Sequence, residues 1–207
     1  MADALTKEGE KIFEKLYSFT GFYLAGGTAL ALQISHRISV DFDLFSPEAI
    51  PKDLLSRVEK IFTGSRVQVS VNNSDELTVF VDGIKVTFLR YPFKVYKDFA
   101  EDHGLKILTP KTIALTKSYS IGRRGSYKDY VDLYFLLEGD YISLEDIIQD
   151  CPKIFDAGFS DRLFLEQLVY MKDISEIEIN FLRKKITKDE LEKFFVKKVK
   201  DFKVDLI

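Results

Sequence analysis

Cysteine is nearly absent from this sequence, since Cys151 is the single one among 207 residues. One cysteine excludes an intramolecular disulfide, and it lacks the companions that a zinc site requires. We therefore expect Cys151 to be a buried thiol.

Long hydrophobic runs are missing as well. No apolar stretch approaches the ~20 residues that are needed to cross a bilayer. The first charged residue after Met1 is acidic, Asp3, where a secretory signal would have a basic region. These absences predict a cytoplasmic protein with no membrane partner.

The sequence also lacks an excess of either charge, because 30 basic and 33 acidic residues leave a formal net charge of −3. This balance gives no global attraction to nucleic acid or to an anionic membrane. The hydrophobic content of 46% is ordinary for a globular protein with a substantial core. The length fits one domain, or a domain with a helical appendage.

The most informative part of the chain is residues 22–46, which read FYLAGGTALALQISHRISVDFDLFS. A short apolar strand is predicted to end at Gly26 and Gly27, and a helix to begin at Thr28. Glycines let the backbone approach a ligand closely, and free N–H groups at a helix start attract phosphate. Thr28 is predicted to cap this helix or to donate its hydroxyl to a phosphate oxygen. On their own, two glycines in this position are more often a tight turn.

The second half of this segment carries Asp41 and Asp43 on a predicted strand, where apolar and polar residues alternate. Side chains two residues apart on a strand point to the same face, so the two carboxylates converge. Like charges on one face repel unless something neutralises them, and oxygen ligands suit Mg²⁺ or Mn²⁺. A solvated strand face would need no metal. A phosphate cradle followed by paired carboxylates is nevertheless a layout for binding a nucleoside triphosphate (NTP) with magnesium.

The remaining pattern predicts an α/β (α+β) fold. Strand-like runs at residues 77–81 and 84–89 flank Asp82-Gly83, the strongest short signal for a hairpin. Helical patterns dominate after Leu105. We therefore predict a mixed sheet with flanking helices over residues 1–105 and a helical region over residues 106–207.

Residues 111–128 form a basic block that contains no acidic residue. Its five positive charges predict a local anion site in a chain that is acidic overall, and they are Lys111, Lys117, Arg123, Arg124 and Lys128. Arg123 and Arg124 lie in a glycine-flanked turn, from which guanidinium groups grip phosphate well. A solvated basic face is the alternative interpretation.

Together these motifs resemble the nucleotidyltransferase superfamily that folds like the catalytic domain of DNA polymerase beta. Within it the chain is similar to the AbiEii/AbiGii toxin-type nucleotidyltransferases. The resemblance rests on Gly-Gly-Thr-Ala-Leu and His-Arg-x-Ser-x-Asp-x-Asp-Leu-Phe in residues 22–45. It resumes over residues 108–137, with Lys117, Arg124-Gly125, Lys128-Asp129 and Asp132-Leu133.

The resemblance implies a nucleotidyltransferase-like sheet and a metal-dependent transfer of a nucleotidyl group from an NTP to RNA or protein. It implies metal binding by Asp41 and Asp43, and a catalytic role for both. Lys117 is implied to contact the triphosphate, and Asp132 to orient that lysine or to assist catalysis. Nucleotide contacts are expected from Gly26, Gly27, Thr28, Arg124 and Lys128, in a cleft that the helical region completes. A toxin of this kind is expected to have an antitoxin protein as a partner.

The sequence departs from the superfamily at one position. Active members usually carry a third acidic residue on a strand beside the Asp pair, where this chain offers Thr87 or Lys85. A nucleotide-binding protein with little or no transferase activity is therefore an alternative. Another is a haloacid-dehalogenase-like phosphatase with Asp41 as nucleophile. Such an enzyme would have a small residue or threonine where this chain has Phe45, and it leaves Gly26-Gly27 unexplained.

Overall fold

The computed structural model describes residues 2–95 and 99–204 of the chain. The chain divides into two compact units, Met1–Thr109 and Pro110–Ile207. The division lies between the last strand of the first unit and the first helix of the second.

Among its described residues, the N-terminal unit has three α-helices and a sheet. Its helices are α1 (Lys7–Leu16), α2 (Gly26–Ile34) and α3 (Leu54–Ile61). Its strands are β1 (Tyr23–Ala25), β2 (Phe42–Ser46), β3 (Val67–Asn72), β4 (Glu76–Val81), β5 (Ile84–Arg90), β6 (Phe99–Asp102) and β7 (Leu105–Leu108). The predicted Asp82-Gly83 hairpin is confirmed, because β4 and β5 pair antiparallel from Val81 and Ile84 onward.

The described strands form one seven-stranded sheet in the order β3-β4-β5-β2-β1-β7-β6. The sheet is mixed, since β2 runs antiparallel to β1 and parallel to β5, while β1 runs parallel to β7. This register brings three segments side by side: the end of β1, the start of β2 and the middle of β5. The predicted class, a mixed sheet with flanking helices, is confirmed.

One face of this sheet carries the core of the N-terminal unit. Phe42, Leu44, Val86 and Phe88 on the central strands are fully buried. Aromatic side chains from outside the sheet pack onto this face, as in the pair Phe19 and Phe88, whose ring centroids are 4.8 Å apart. The residues that alternate with these core positions point to the opposite face, which is where the polar side chains of the central strands lie.

The C-terminal unit is helical, as the sequence predicts. Its helices are α4 (Pro110–Ile121), α5 (Tyr127–Glu138), α6 (Leu144–Phe155), α7 (Asp161–Val169) and α8 (Lys188–Val204). Helix α5 lies at the centre of this unit, since every residue from Asp129 to Leu137 is buried. A capping box between Ser143 and Asp146 begins α6, and it satisfies two backbone N–H groups that helix formation leaves unpaired. No helix in the described ranges is long and apolar enough to span a bilayer.

The single cysteine is a buried thiol, as predicted. Cys151 lies on α6, where its sulfur contacts the Leu115 carbonyl oxygen of α4 at 3.7 Å. Burial raises the pKa of this thiol well above its usual range. Because the thiolate is the reactive form, Cys151 is chemically inert in the folded unit.

We expect Cys151 to react with a thiol reagent at least about 100-fold more slowly in the native protein than in guanidinium chloride, since folding removes both access and the thiolate. Absorbance on mixing with an aromatic disulfide reagent measures the two rates. Rapid stoichiometric labelling of the native protein would contradict the burial of this residue.

Candidate functional site

The Gly-Gly segment packs directly against one of the two aspartates. Ala25, the last residue of β1, lies opposite Asp43 in the antiparallel register with β2. Gly26 follows with a φ of +68°, and a Cβ placed there would lie 2.5 Å from the Asp43 Oδ2 atom. Glycine is therefore required at this position for two reasons, the backbone conformation and the contact with the carboxylate.

Asp41 and Asp43 are placed as the alternation predicts. Asp43 lies within β2 and Asp41 directly precedes that strand. Between and after them, Phe42 and Leu44 are fully buried in the core, whereas both aspartates are partly exposed. This alternation puts the two carboxylates on the face of the sheet that is opposite the core.

Thr28 does not cap helix α2, which corrects one of the two roles predicted for it. The N-cap is Ala25 and makes no side-chain bond. The Thr28 hydroxyl is buried instead, where it donates a hydrogen bond to the Asp41 carbonyl oxygen and contacts the Ser39 hydroxyl at 2.7 Å. Thr28 therefore ties α2 to the segment before β2, so that it holds the backbone of Asp41 in place.

Thr87 occupies the position on β5 that is directly beside Asp43. Of the two positions where a third carboxylate is expected from the superfamily pattern, Thr87 and Lys85, it is the one paired with Asp43. Thr87 is 9% exposed, and its hydroxyl lies 3.3 Å from that of Thr78 on β4. Within the part of the chain that the structure describes, no group of three or more His, Cys, Asp or Glu residues could hold a metal ion.

The C-terminal unit holds a buried cluster of charges. The Lys117 Nζ atom on α4 lies 2.6 Å from Asp129 Oδ1 and 2.9 Å from Asp132 Oδ2, both on α5. All three side chains are buried, and Asp132 is completely so. Asp129 and Asp132 are therefore buried partners of Lys117 and not surface ion-pair partners of Arg124 and Lys128. Asp129 and Asp132 do share a helix face, as their spacing predicts.

The basic block is also less uniform than the sequence suggests. Lys111 lies 3.5 Å from Asp150, and Lys117 lies within the buried cluster, so these two charges are compensated. Arg123 stacks on the Tyr119 ring at 4.3 Å and donates to the Gly158 carbonyl. Arg124 is exposed and Lys128 partly exposed, and neither forms an ion pair with any residue that the structure describes.

Solved structures with this fold define its class. MenT4, a nucleotidyltransferase toxin of Mycobacterium tuberculosis H37Rv, superposes with a TM-score of 0.62 at 16% identity, covering 91% of this chain and 80% of that one. A candidate nucleotidyltransferase of Helicobacter pylori superposes with a TM-score of 0.57 at 19% identity, covering 96% and 97%. At such identities the likeness shows the fold alone, which is that of the nucleotidyltransferases.

The sequence shows the family. The model of the family described as nucleotidyl transferase AbiEii toxin, type IV toxin–antitoxin system, matches residues 13–205. The chain belongs to this AbiEii nucleotidyltransferase toxin family, as the resemblance predicts. An uncharacterized protein of Aquifex aeolicus (strain VF5) is 36% identical over an alignment of 206 positions, which covers 96% of this chain and 97% of that protein. Fold and family together leave no support for a haloacid-dehalogenase-like phosphatase.

Proposed function

We propose that this protein transfers a nucleotidyl group from an NTP, with magnesium or manganese, to a hydroxyl of RNA or of a protein side chain. The observation that carries this proposal is the contact between Gly26 and the Asp43 carboxylate. The end of β1, the start of α2 and the Asp pair at the start of β2 meet there, and Gly26 places no side chain between them. This arrangement lets phosphate oxygens approach backbone N–H groups and carboxylates together.

Asp41 and Asp43 would hold the metal ion. Two carboxylates are a suitable donor set, because Mg²⁺ is commonly bound by one or two carboxylates together with substrate phosphates. The absence of a third carboxylate at Thr87 fits one ion that is shared with the triphosphate better than a two-ion cage made of protein ligands. When bound, the ion neutralises phosphate charge and polarises the phosphoryl oxygens.

The other predicted residues act on the nucleotide by charge and position. The N–H groups at the start of α2, from Gly26 and Gly27, bind phosphate. Arg124 and Lys128 supply positive charge to the triphosphate. Lys117 contacts the triphosphate while Asp132, 2.9 Å from its ammonium group, orients it.

The family also suggests a biological setting. Its description names a toxin of a type IV toxin–antitoxin system. We propose that this chain acts as such a toxin and that a cognate antitoxin protein opposes it.

Incubation with each α-labelled NTP, magnesium and total RNA tests the transfer. We expect label in RNA or in protein with the wild type, and none with Asp41→Ala. Asp53→Ala is a matched control, since Asp53 is an exposed residue of the same unit and makes no capping bond. The labelled species identifies the acceptor, and the active NTP identifies the base.

Thr87 favours a second candidate function, a protein that binds nucleotide with little or no turnover. Calorimetry separates the two. Binding of an NTP in magnesium without transfer to any acceptor would support the second candidate. Absence of both binding and transfer would exclude both.

A substitution at Gly26 gives a sharper test of the contact that carries the proposal. We expect Gly26→Ala to lower the transfer rate by about 100-fold, because the added Cβ must displace the Asp43 carboxylate and small misplacements are costly in catalysis. Gly64→Ala is the matched control, since Gly64 also has a positive φ (+89°) but a Cβ at that position would meet no atom within 4 Å. Both variants should lose roughly 1–2 kcal/mol of stability from the backbone conformation.

Initial rates and thermal melts of the two variants separate the effect of the Asp43 contact from the effect of the positive φ. A Gly26→Ala protein with the wild-type rate would show that Asp43 does not need its observed position.

A further inference from the structure

A line of hydrogen-bonding side chains leads away from the Asp43 position. It crosses from β5 to β4 on the face of the sheet that carries the aspartates. The Thr87 hydroxyl lies 3.3 Å from the Thr78 hydroxyl, and the Thr78 hydroxyl lies 2.6 Å from Glu76 Oε1. The register supports this line, since Asp43 is opposite Thr87 and Thr87 is opposite Thr78.

The chemistry of these groups sets the direction of the hydrogen bonds. Each threonine hydroxyl has one proton to donate. The Thr78 bond to Glu76 is the shorter one and ends on a carboxylate, which is the stronger acceptor. Thr78 therefore donates to Glu76 and Thr87 donates to Thr78, so the Thr87 oxygen is left to accept a proton from a group beside Asp43.

The two threonines of this line are buried, whereas Glu76 at its end is partly exposed to solvent. Thr78 is 6% exposed and Thr87 is 9% exposed, so bulk water has little access to the two hydroxyls. Glu76, at the first residue of β4, is partly exposed. A proton that reaches Glu76 can therefore leave to solvent.

We propose that Glu76 is the terminal proton acceptor of the transfer reaction, and that Thr87 and Thr78 relay the proton to it. The inference rests on the proposed function. In this step the acceptor oxygen forms a bond to the α-phosphorus, and the bond from that phosphorus to the pyrophosphate oxygen breaks. The acceptor proton moves to Thr87, the Thr87 proton to Thr78, and the Thr78 proton to Glu76, while pyrophosphate leaves with its electron pair.

This relay would supply the proton acceptor that the reaction lacks when threonine replaces a carboxylate beside Asp43. A threonine at the position beside Asp43 cannot retain a proton as a carboxylate does, because its hydroxyl is a very weak base. A hydrogen-bonded carboxylate behind it supplies a proton acceptor without placing a third negative charge beside Asp41 and Asp43. Glu76 has this place in the described sheet.

The test compares Glu76→Gln, Thr78→Val and Thr78→Ser with the wild type, at saturating magnesium with varied NTP. We expect Glu76→Gln and Thr78→Val to lower kcat by about 100-fold, the usual scale for loss of a general base. The KM for NTP should stay within about 3-fold, because neither residue contacts the nucleotide. Thr78→Ser should keep kcat within about 3-fold, since serine retains the hydroxyl.

Asp75→Asn is the control, because Asp75 is the exposed neighbouring carboxylate and pairs with Arg90 at 3.1 Å. It should leave kcat unchanged. Thermal melts establish that each variant is folded, and if Thr78→Val is not, Glu76→Gln and Thr78→Ser decide.

The outcomes separate the two levels of inference. An active wild type whose Glu76→Gln variant keeps its kcat overturns the relay and leaves the transferase intact. A loss confined to KM, or a Thr78→Ser protein as slow as Thr78→Val, shows a structural role and also overturns the relay. A wild type that transfers no nucleotide overturns the proposed function, and the relay with it.

Discussion

Asp43→Asn is expected to remove magnesium-dependent NTP binding and to lower nucleotidyl transfer by about 100-fold or more, on the scale of losing one charged group from a preorganised site. The amide preserves the shape of the side chain beside Gly26 but loses the charge that is proposed to hold the metal ion. Because the variant also removes one of two like charges on a sheet face, the fold should remain intact. Its melting temperature should equal or exceed that of the wild type.

Calorimetry of NTP binding in magnesium and in EDTA measures this effect. Wild-type affinity should fall in EDTA, whereas Asp43→Asn should bind weakly in both conditions. Asp53→Asn, an exposed aspartate before α3, should behave as the wild type. Equal wild-type affinity with and without magnesium would mean that the Asp pair is not a metal site.

Lys117→Met is expected to produce the largest loss of stability. The substitution leaves the carboxylates of Asp129 and Asp132 buried without their shared ammonium group. Breaking a buried ion pair by removing one partner costs about 3–5 kcal/mol, because it leaves an uncompensated buried charge. Such a loss should lower the melting temperature by roughly 10 °C or more.

Two further variants test whether the buried charges cause that loss of stability. Lys128→Met is the matched control on the neighbouring helix, and it should change stability by less than about 0.5 kcal/mol because Lys128 is partly exposed. Lys117→Met combined with Asp129→Asn and Asp132→Asn should recover part of the stability, since the buried charges are then removed together. If this triple variant regains its fold but not its transfer rate, the cluster of Lys117, Asp129 and Asp132 acts on the nucleotide as well as on the fold. A single Lys117→Met protein that melts like the wild type would contradict the observed burial.

Much of the fold follows from local sequence signals. Alternation around Asp41 and Asp43 predicts a strand with its carboxylates on one side, because burial of Phe42 and Leu44 leaves no other register. The Asp82-Gly83 turn predicts the β4–β5 hairpin from the backbone conformations that a tight turn requires. The sheet order does not follow in this way, since pairs such as β1 with β7 join segments that are far apart in the chain.

The candidate site could be predicted only in part, because side-chain partners depend on tertiary contacts. The sequence predicts the Thr28 hydroxyl to cap a helix or to bind a phosphate, and it does not reveal that this hydroxyl donates to the Asp41 carbonyl oxygen and leaves α2 without a side-chain cap. Lys117 belongs to a run without acidic residues. The distribution of charge along the sequence therefore does not predict that it pairs with Asp129 and Asp132 on α5. Sequence reasoning missed Thr78 and Glu76 entirely. The signal that could have found them is the alternation in β4, which places both on the same face as Thr87.

The contact of Gly26 with Asp43 has a consequence for the gene that encodes this chain. Every single-base missense change of a glycine codon introduces a residue with a Cβ atom. At Gly26 that atom would meet the Asp43 carboxylate at 2.5 Å. Only the silent third-position changes of the Gly26 codon therefore leave the Asp43 carboxylate where it is, and every missense change there is expected to displace it.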